Sequence, residues 1–308
     1  ALLSHDITLR GGKMKQKSWL LAYLALGVIW GCSFIFIKLG LEFLSPFGVA
    51  FGRCSLGALT LLIIAKIRKI SLPRDKSTWF KLWIVAILLN VFPGILFAFA
   101  EVRVTSVLAG IINATTPLAT LIVILIAFRD EKPKSYQIIG LLIGAFGVLT
   151  VLGFWRGIGD NSIVGVLALL LAVSCYGLSF PIIRKYVLPL GLPPEKMAVT
   201  QLVAASITLL PLFIYNGISH YNFAARPVLG MLALGIFGSG IAYIWNFQVI
   251  SAAGSSIASS VTYLTPVVAV IVGFIFGNET ISWNEPLGAG FVVLGAAVAQ
   301  NRFKRASR

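Results

Sequence analysis

The sequence predicts an all-α polytopic membrane protein of ten transmembrane helices, arranged as two inverted five-helix repeats. Three observations carry that prediction. The 308 residues are 58% hydrophobic and 11% charged, and their mean hydropathy is +0.95. Soluble domains carry roughly 25% charged and about 45–50% apolar residues. The apolar residues gather into runs long enough to cross a bilayer, and the second half of the chain repeats the first. A single core stops growing near ~250–300 residues, so a soluble globule is excluded, as are a disordered chain and a coiled coil.

A bilayer core of about 30 Å needs about 20 apolar residues as helix. Such runs cover residues 19–37, 47–65, 82–100, 105–128, 136–154, 163–183, 197–215, 228–250, 255–276 and 286–300. They are continuous rather than alternating, which argues against a β-barrel. Residues 1–14 precede Lys15-Gln16-Lys17 and are set outside the fold as an upstream remnant or tail. The first run has no small-residue cleavage site after it, so it is a membrane helix and not a signal peptide. The first five-helix repeat then occupies residues 15–154, the second 155–301, and a basic tail 302–308.

The charge agrees with this layout. There are 25 Lys+Arg against 10 Asp+Glu, a formal +15. With the N-terminus inside, most basic residues fall on the inner side, while Lys38, Arg103, Arg156 and Arg226 fall outside and Arg53 lies within the second span. Lysine and arginine concentrate on the cytoplasmic face of membrane proteins, so both termini are expected in the cytoplasm of an inner- or plasma-membrane protein. The basic residues are dispersed over separate loops without an aromatic stacking platform, so a nucleic-acid partner is not expected. Cys32, Cys54 and Cys175 lie in apolar runs without metal spacing, and His5 and His220 are too few for a His-based zinc site. No metal and no cofactor are expected.

The repeat shows residue by residue. Trp30-Gly31-Cys32-Ser33-Phe34 matches Tyr176-Gly177-Leu178-Ser179-Phe180, 146 positions on. Pro46 matches Pro194 at 148, and Thr116-Pro117 matches Thr265-Pro266 at 149. Glu131 and Glu279, Gly140 and Gly288, and Gly147 and Gly295 are each 148 apart. Five spans per unit is an odd number, so the second copy enters the membrane from the opposite side. Inverted repeats of this kind build secondary transporters, with the solute site near the midplane between the repeats. A duplicated but inert helical scaffold is the structural alternative.

These motifs resemble the EamA-type members of the drug/metabolite transporter superfamily over residues 15–300. The resemblance rests on the Trp-Gly-x-Ser-Phe start, Pro46 followed by Arg53, the Thr-Pro pairs, the Glu of the following loops and the paired Gly-x6-Gly. It implies a ten-helix bundle that exports or exchanges small metabolites, amino acids or drugs. The usual Gly-Glu before the fifth span is here Arg129-Asp130-Glu131, and before the tenth Gly277-Asn278-Glu279.

Polar and helix-breaking residues inside the spans supply the site candidates. Lipid cannot satisfy their hydrogen bonds, so they should face the bundle interior. Trp30, Ser33, Asn90, Asn113, Thr116, Tyr176, Ser179, Tyr243, Asn246, Thr262 and Tyr263 are the candidates for solute contact. For each Ser or Thr, helix packing is the competing role. An aromatic wall with a few amides suits an apolar, aromatic or zwitterionic solute. Pro93, Gly94, Pro117, Gly238, Gly240 and Pro266 interrupt their spans and are the candidate hinges. Arg53 is the clear intramembrane charge, read either as an anion contact or, preferably, as a helix-pairing residue near the interface.

No Asp or Glu occupies the centre of any span, and Glu101 stands at the end of the third. Facilitated transport or exchange is therefore expected, with Glu101 the one candidate for proton coupling. The expected partners are a small-molecule substrate and the lipid bilayer, with the chain acting as monomer or homodimer. An intramembrane lipid-processing transferase, a scramblase or a structural bundle are the rival readings. The first needs a clustered acid, His or Cys, which the sequence does not offer.

Overall fold

The computed structural model describes residues 2–104, 106–130, 133–151, 153, 155, 162–219, 224–268, 271 and 283–299. These form a helical bundle without β-strands among the described residues; Leu44 and Ile218 make one isolated antiparallel bridge. α1 spans Leu2–Leu41, of which Trp19–Leu41 is apolar and membrane-length. The leading residues set outside the fold by the sequence thus extend α1, and no proline before Pro46 stops them. α2 is Pro46–Ile67, α3 Lys76–Glu101, α4 Ser106–Asn113, α5 Thr116–Ala127 and α6 Ser135–Val151. α7 is Ile163–Leu190, α8 Pro194–Asn216, α9 Ala225–Ala253, α10 Ser255–Ser259 and α11 Asn284–Ala299.

Six helices (α1, α2, α3, α7, α8 and α9) are long and apolar enough to cross a membrane, and shorter apolar helices accompany them. Glu131, Glu279, the end of the ninth predicted span and the 302–308 tail lie outside the described residues.

Local chemistry sets the helix ends. Ser45 caps α2, its Oγ accepting from Gly48 N at 3.2 Å, with Pro46 pre-set for the first turn. Asp75 caps α3 by accepting from Thr78 N at 2.8 Å, and these bonds to Thr78 hold its carboxyl below the usual range. The loop between α1 and α2 is tied to the end of α8, because Ser45 N donates to Gly217 O at 3.0 Å. Those termini therefore share one end of the bundle. At the opposite end Arg68 pairs with Glu195 at 3.2 Å and Lys185 with Asp130 at 2.8 Å.

The interior breaks fall at equivalent places in the two halves. A π-helical segment, Ile87–Val91, interrupts α3, and Leu234–Ile241 interrupts α9. Pro93 has no N–H to offer the carbonyl of Leu89, four residues back. Proline also ends α4: the ring of Pro117 opposes the carbonyl of Asn113, where the helix stops before restarting at Thr116. Thr116 Oγ1 donates to that freed Asn113 O at 2.6 Å. In the second half Thr265 Oγ1 donates to Thr262 O at 2.8 Å, again four residues before a proline, Pro266.

Glycines let repeat-related helices touch. The most extensive contact in the bundle joins α6 to α11, and α2 packs along α8. A Cβ on Gly147 would lie 2.6 Å from Val292 N and 2.8 Å from Gly288 O. One on Gly295 would lie 2.5 Å from Gly144 N and 2.6 Å from Gly140 O. Each contact is the other moved by 148 positions, so α6 and α11 run antiparallel in a seam with two-fold character. Likewise Gly31 abuts Val268, and Gly177 abuts Ala119.

Candidate solute cavity

At the centre of the bundle, Trp30, Ser33, Phe34, Ile37, Arg53, Leu89, Phe97, Asn113, Thr116, Tyr176, Phe180, Tyr243 and Thr262 enclose a partly open cavity of about 550 Å³. The residues from α1 lie in its second half, and Phe97 lies near the end of α3. The cavity thus runs from mid-bundle toward the end that carries Ser45 and Glu101.

Six aromatic rings line the wall. Trp30 meets Tyr243 edge-on at 6.2 Å, and Phe97 lies 6.1 Å from Phe34 and stacks on Tyr176 at 5.8 Å. Two of these rings also satisfy the π-helical breaks. Tyr243 Oη donates to Leu89 O at 3.2 Å, and Trp30 Nε1 donates to Gly238 O at 3.1 Å. Leu89 and Gly238 are repeat mates, 149 positions apart. The hinge candidates Gly238 and Gly240 lie within the second π segment, whereas Pro93 and Gly94 follow the first.

Arg53 is the one charged residue in the wall among the described residues. It is 7% exposed, and its Nε donates to Ser239 Oγ at 3.1 Å. It therefore pairs helices and also faces the cavity. Its repeat mate Gln201 forms the equivalent bond, Nε2 donating to Asn90 Oδ1.

Eight of the predicted residues thus meet in one place: Trp30, Ser33, Arg53, Asn113, Thr116, Tyr176, Tyr243 and Thr262. Others stand apart. Asn90 is engaged with Gln201, and Ser179 is buried and donates to Tyr176 O at 2.8 Å. Tyr263 donates to Leu141 O at 2.8 Å across the α6 seam. Asn246 is buried, with neither amide atom bonded among the described residues, and lies outside the wall. Glu101 is buried away from the wall as well.

Sequence reasoning missed Phe34, Ile37, Leu89, Phe97 and Phe180, because an apolar residue in an apolar span carries no polarity signal. A signal existed for two of them. Phe34 and Phe180 close the repeated Trp/Tyr-Gly-x-Ser-Phe motif whose first residues were singled out. No group of three or more His, Cys, Asp or Glu able to hold a metal occurs among the described residues.

Membrane-length helices around a central aromatic cavity define a polytopic membrane protein of the solute-handling class. The chain belongs to the EamA-like transporter family, whose model matches it twice, at residues 17–153 and 163–299. It is 28% identical over 282 residues to the uncharacterized inner membrane transporter YedA of Escherichia coli K12, covering 90% of this chain and 89% of that one. It is 24% identical to the uncharacterized transporter YoaV of Bacillus subtilis 168, covering 93% and 98%. A chloroplastic WAT1-related protein of Arabidopsis thaliana, At3g02690, is 27% identical over 86% of this chain and 65% of its own. One solved crystal structure superimposes with a TM-score of 0.75 at 18% identity, covering 95% of this chain and 99% of that one.

Proposed function

We propose that this protein is a secondary carrier that moves small solutes with an apolar or aromatic body and a carboxylate, such as amino acids and related metabolites or drugs, by alternating access. In this reading ten spans form two inverted five-helix repeats with both termini cytoplasmic, and the carrier exports or exchanges its solute.

One observation carries the reading: repeat mates pair up throughout the bundle, yet the cavity treats them unequally. Arg53 faces it and Gln201 does not; Ser33 lines it and Ser179 does not. A two-fold scaffold holding a one-sided cavity has a second state available in which the mates exchange surroundings. The contents of the wall support the solute class. Six rings suit an apolar or aromatic body, Asn113 offers an amide, and Arg53 offers a guanidinium fork that matches a carboxylate.

The test is counterflow in proteoliposomes with a panel of labelled amino acids and their decarboxylated amines. Saturable exchange of at least one carboxylate solute is expected. Arg53→Gln should weaken it by roughly 10- to 100-fold, the loss of a charge-assisted bond of about 1.5–3 kcal/mol, while leaving the matching amine little changed. No saturable exchange of any panel member by the wild type refutes the reading.

A further inference from the structure

Glu101 closes α3 at the Ser45 end of the bundle, outside the cavity wall. It is 6% exposed, and neither carboxylate oxygen has a hydrogen-bond partner among the described residues. An unpaired buried charge is far more costly than a buried neutral group, so the charge state of such a carboxyl has to follow its surroundings. The charged groups whose fields reach it are Lys38 of α1 and Arg53 of α2. α4 and the Ile163–Ile182 part of α7, which also pack on this half of α3, contain no charged residue. Arg103 is engaged with its own helix, donating from Nη1 to Phe99 O at 2.9 Å and lying 3.7 Å over the Phe99 ring. Phe97, one turn before Glu101, is already part of the cavity wall. Arg53 thus faces the cavity while its field also reaches Glu101.

We propose that Glu101 is a proton-binding site linked to the cavity through Arg53, so that a proton travels with the solute. This rests on Arg53 as the solute's carboxylate contact. With the cavity empty, burial disfavours the Glu101 carboxylate while the positive fields of Arg53 and Lys38 support it. A solute carboxylate divides the support from Arg53, and Glu101 restores the balance by taking a proton. Solute and proton then favour each other's binding by the same factor. One O–H bond forms on Glu101 with a proton from water on the loading side. It breaks on the other side as the solute leaves, and no other reactant is consumed. The expectation of uncoupled movement rested on the lack of a carboxylate at any span's centre; the structure buries one at a span's end.

Two measurements on the full chain test this. In lipid nanodiscs without solute, infrared difference spectra over a pH titration should show a protonated-carboxyl band that Glu101→Gln removes and Glu101→Asp retains. A spectrum unchanged in Glu101→Gln overturns the proton site, whatever the protein carries. In proteoliposomes, an acid exterior should drive labelled L-phenylalanine above its equilibrium level, by up to about tenfold per pH unit for one proton. Glu101→Gln should keep gradient-free exchange and lose that accumulation. Accumulation that survives Glu101→Gln, or that needs an alkaline exterior, overturns the coupling. Absence of wild-type exchange would count against the carrier reading, and the infrared result would still decide the proton site.

Discussion

Replacing Gly295 by alanine puts a methyl group where α6 already stands. Its Cβ would lie 2.5 Å from Gly144 N, whereas ordinary contact begins at 3.4 Å, so the helices must part by about 0.9 Å there. The obstacle is backbone, which has no rotamer to change. Overpacking of this kind costs about 1–3 kcal/mol. In lipid the loss is felt along the whole seam, because van der Waals contact rather than water exclusion holds the helices together. Thermal unfolding in detergent reads the effect, and a fall of about 2–4 °C per kcal/mol is expected. Gly147→Ala should match it, since its Cβ would meet the mate backbone atoms at 2.6 and 2.8 Å. Gly290→Ala, on the same helix with nothing within 4 Å, is the control and should be neutral. Equal melting temperatures for Gly295→Ala and Gly290→Ala would refute the seam, and a large loss from only one of Gly147 and Gly295 would refute its two-fold character.

Thr116→Val and Thr265→Val each remove the hydroxyl that satisfies a carbonyl freed by proline, and each should lower stability by about 1 kcal/mol in the same melting assay. Tyr243→Phe keeps the ring but leaves Leu89 O without its phenolic donor, and counterflow should weaken by up to about tenfold. Asp75 is an exposed cap whose carboxyl is held below its usual range, so its contribution is present at neutral pH and fades as pH falls through that lowered value. Melting temperatures of wild type and Asp75→Ala should therefore differ at pH 7 and converge well below about pH 4.

Much of the site was visible as polarity or breakage inside apolar runs. Trp30, Asn113, Tyr176 and Tyr243 stood out because such groups need partners that lipid does not supply. The same logic failed to separate Tyr263 and Ser179 from the cavity residues. Their hydroxyls are satisfied by the carbonyls of Leu141 and Tyr176, which helical spacing does not distinguish from a solute. Thr116 shows the overlap, lining the cavity while capping Asn113 O.

The sequence by itself determined the membrane class, the positions of the apolar runs, the repeat and the places where helices break. All of these follow from composition, run length and residues such as proline whose effect is local. Tertiary structure decided which repeat mates touch, that Arg53 pairs with Ser239 while still facing the cavity, and that Phe34, Phe97 and Phe180 belong to its wall. It also decided that Glu101 is buried, with no hydrogen-bond partner among the described residues. These are properties of surfaces brought together from distant parts of the chain, and a residue's own chemistry does not say which neighbour will satisfy it.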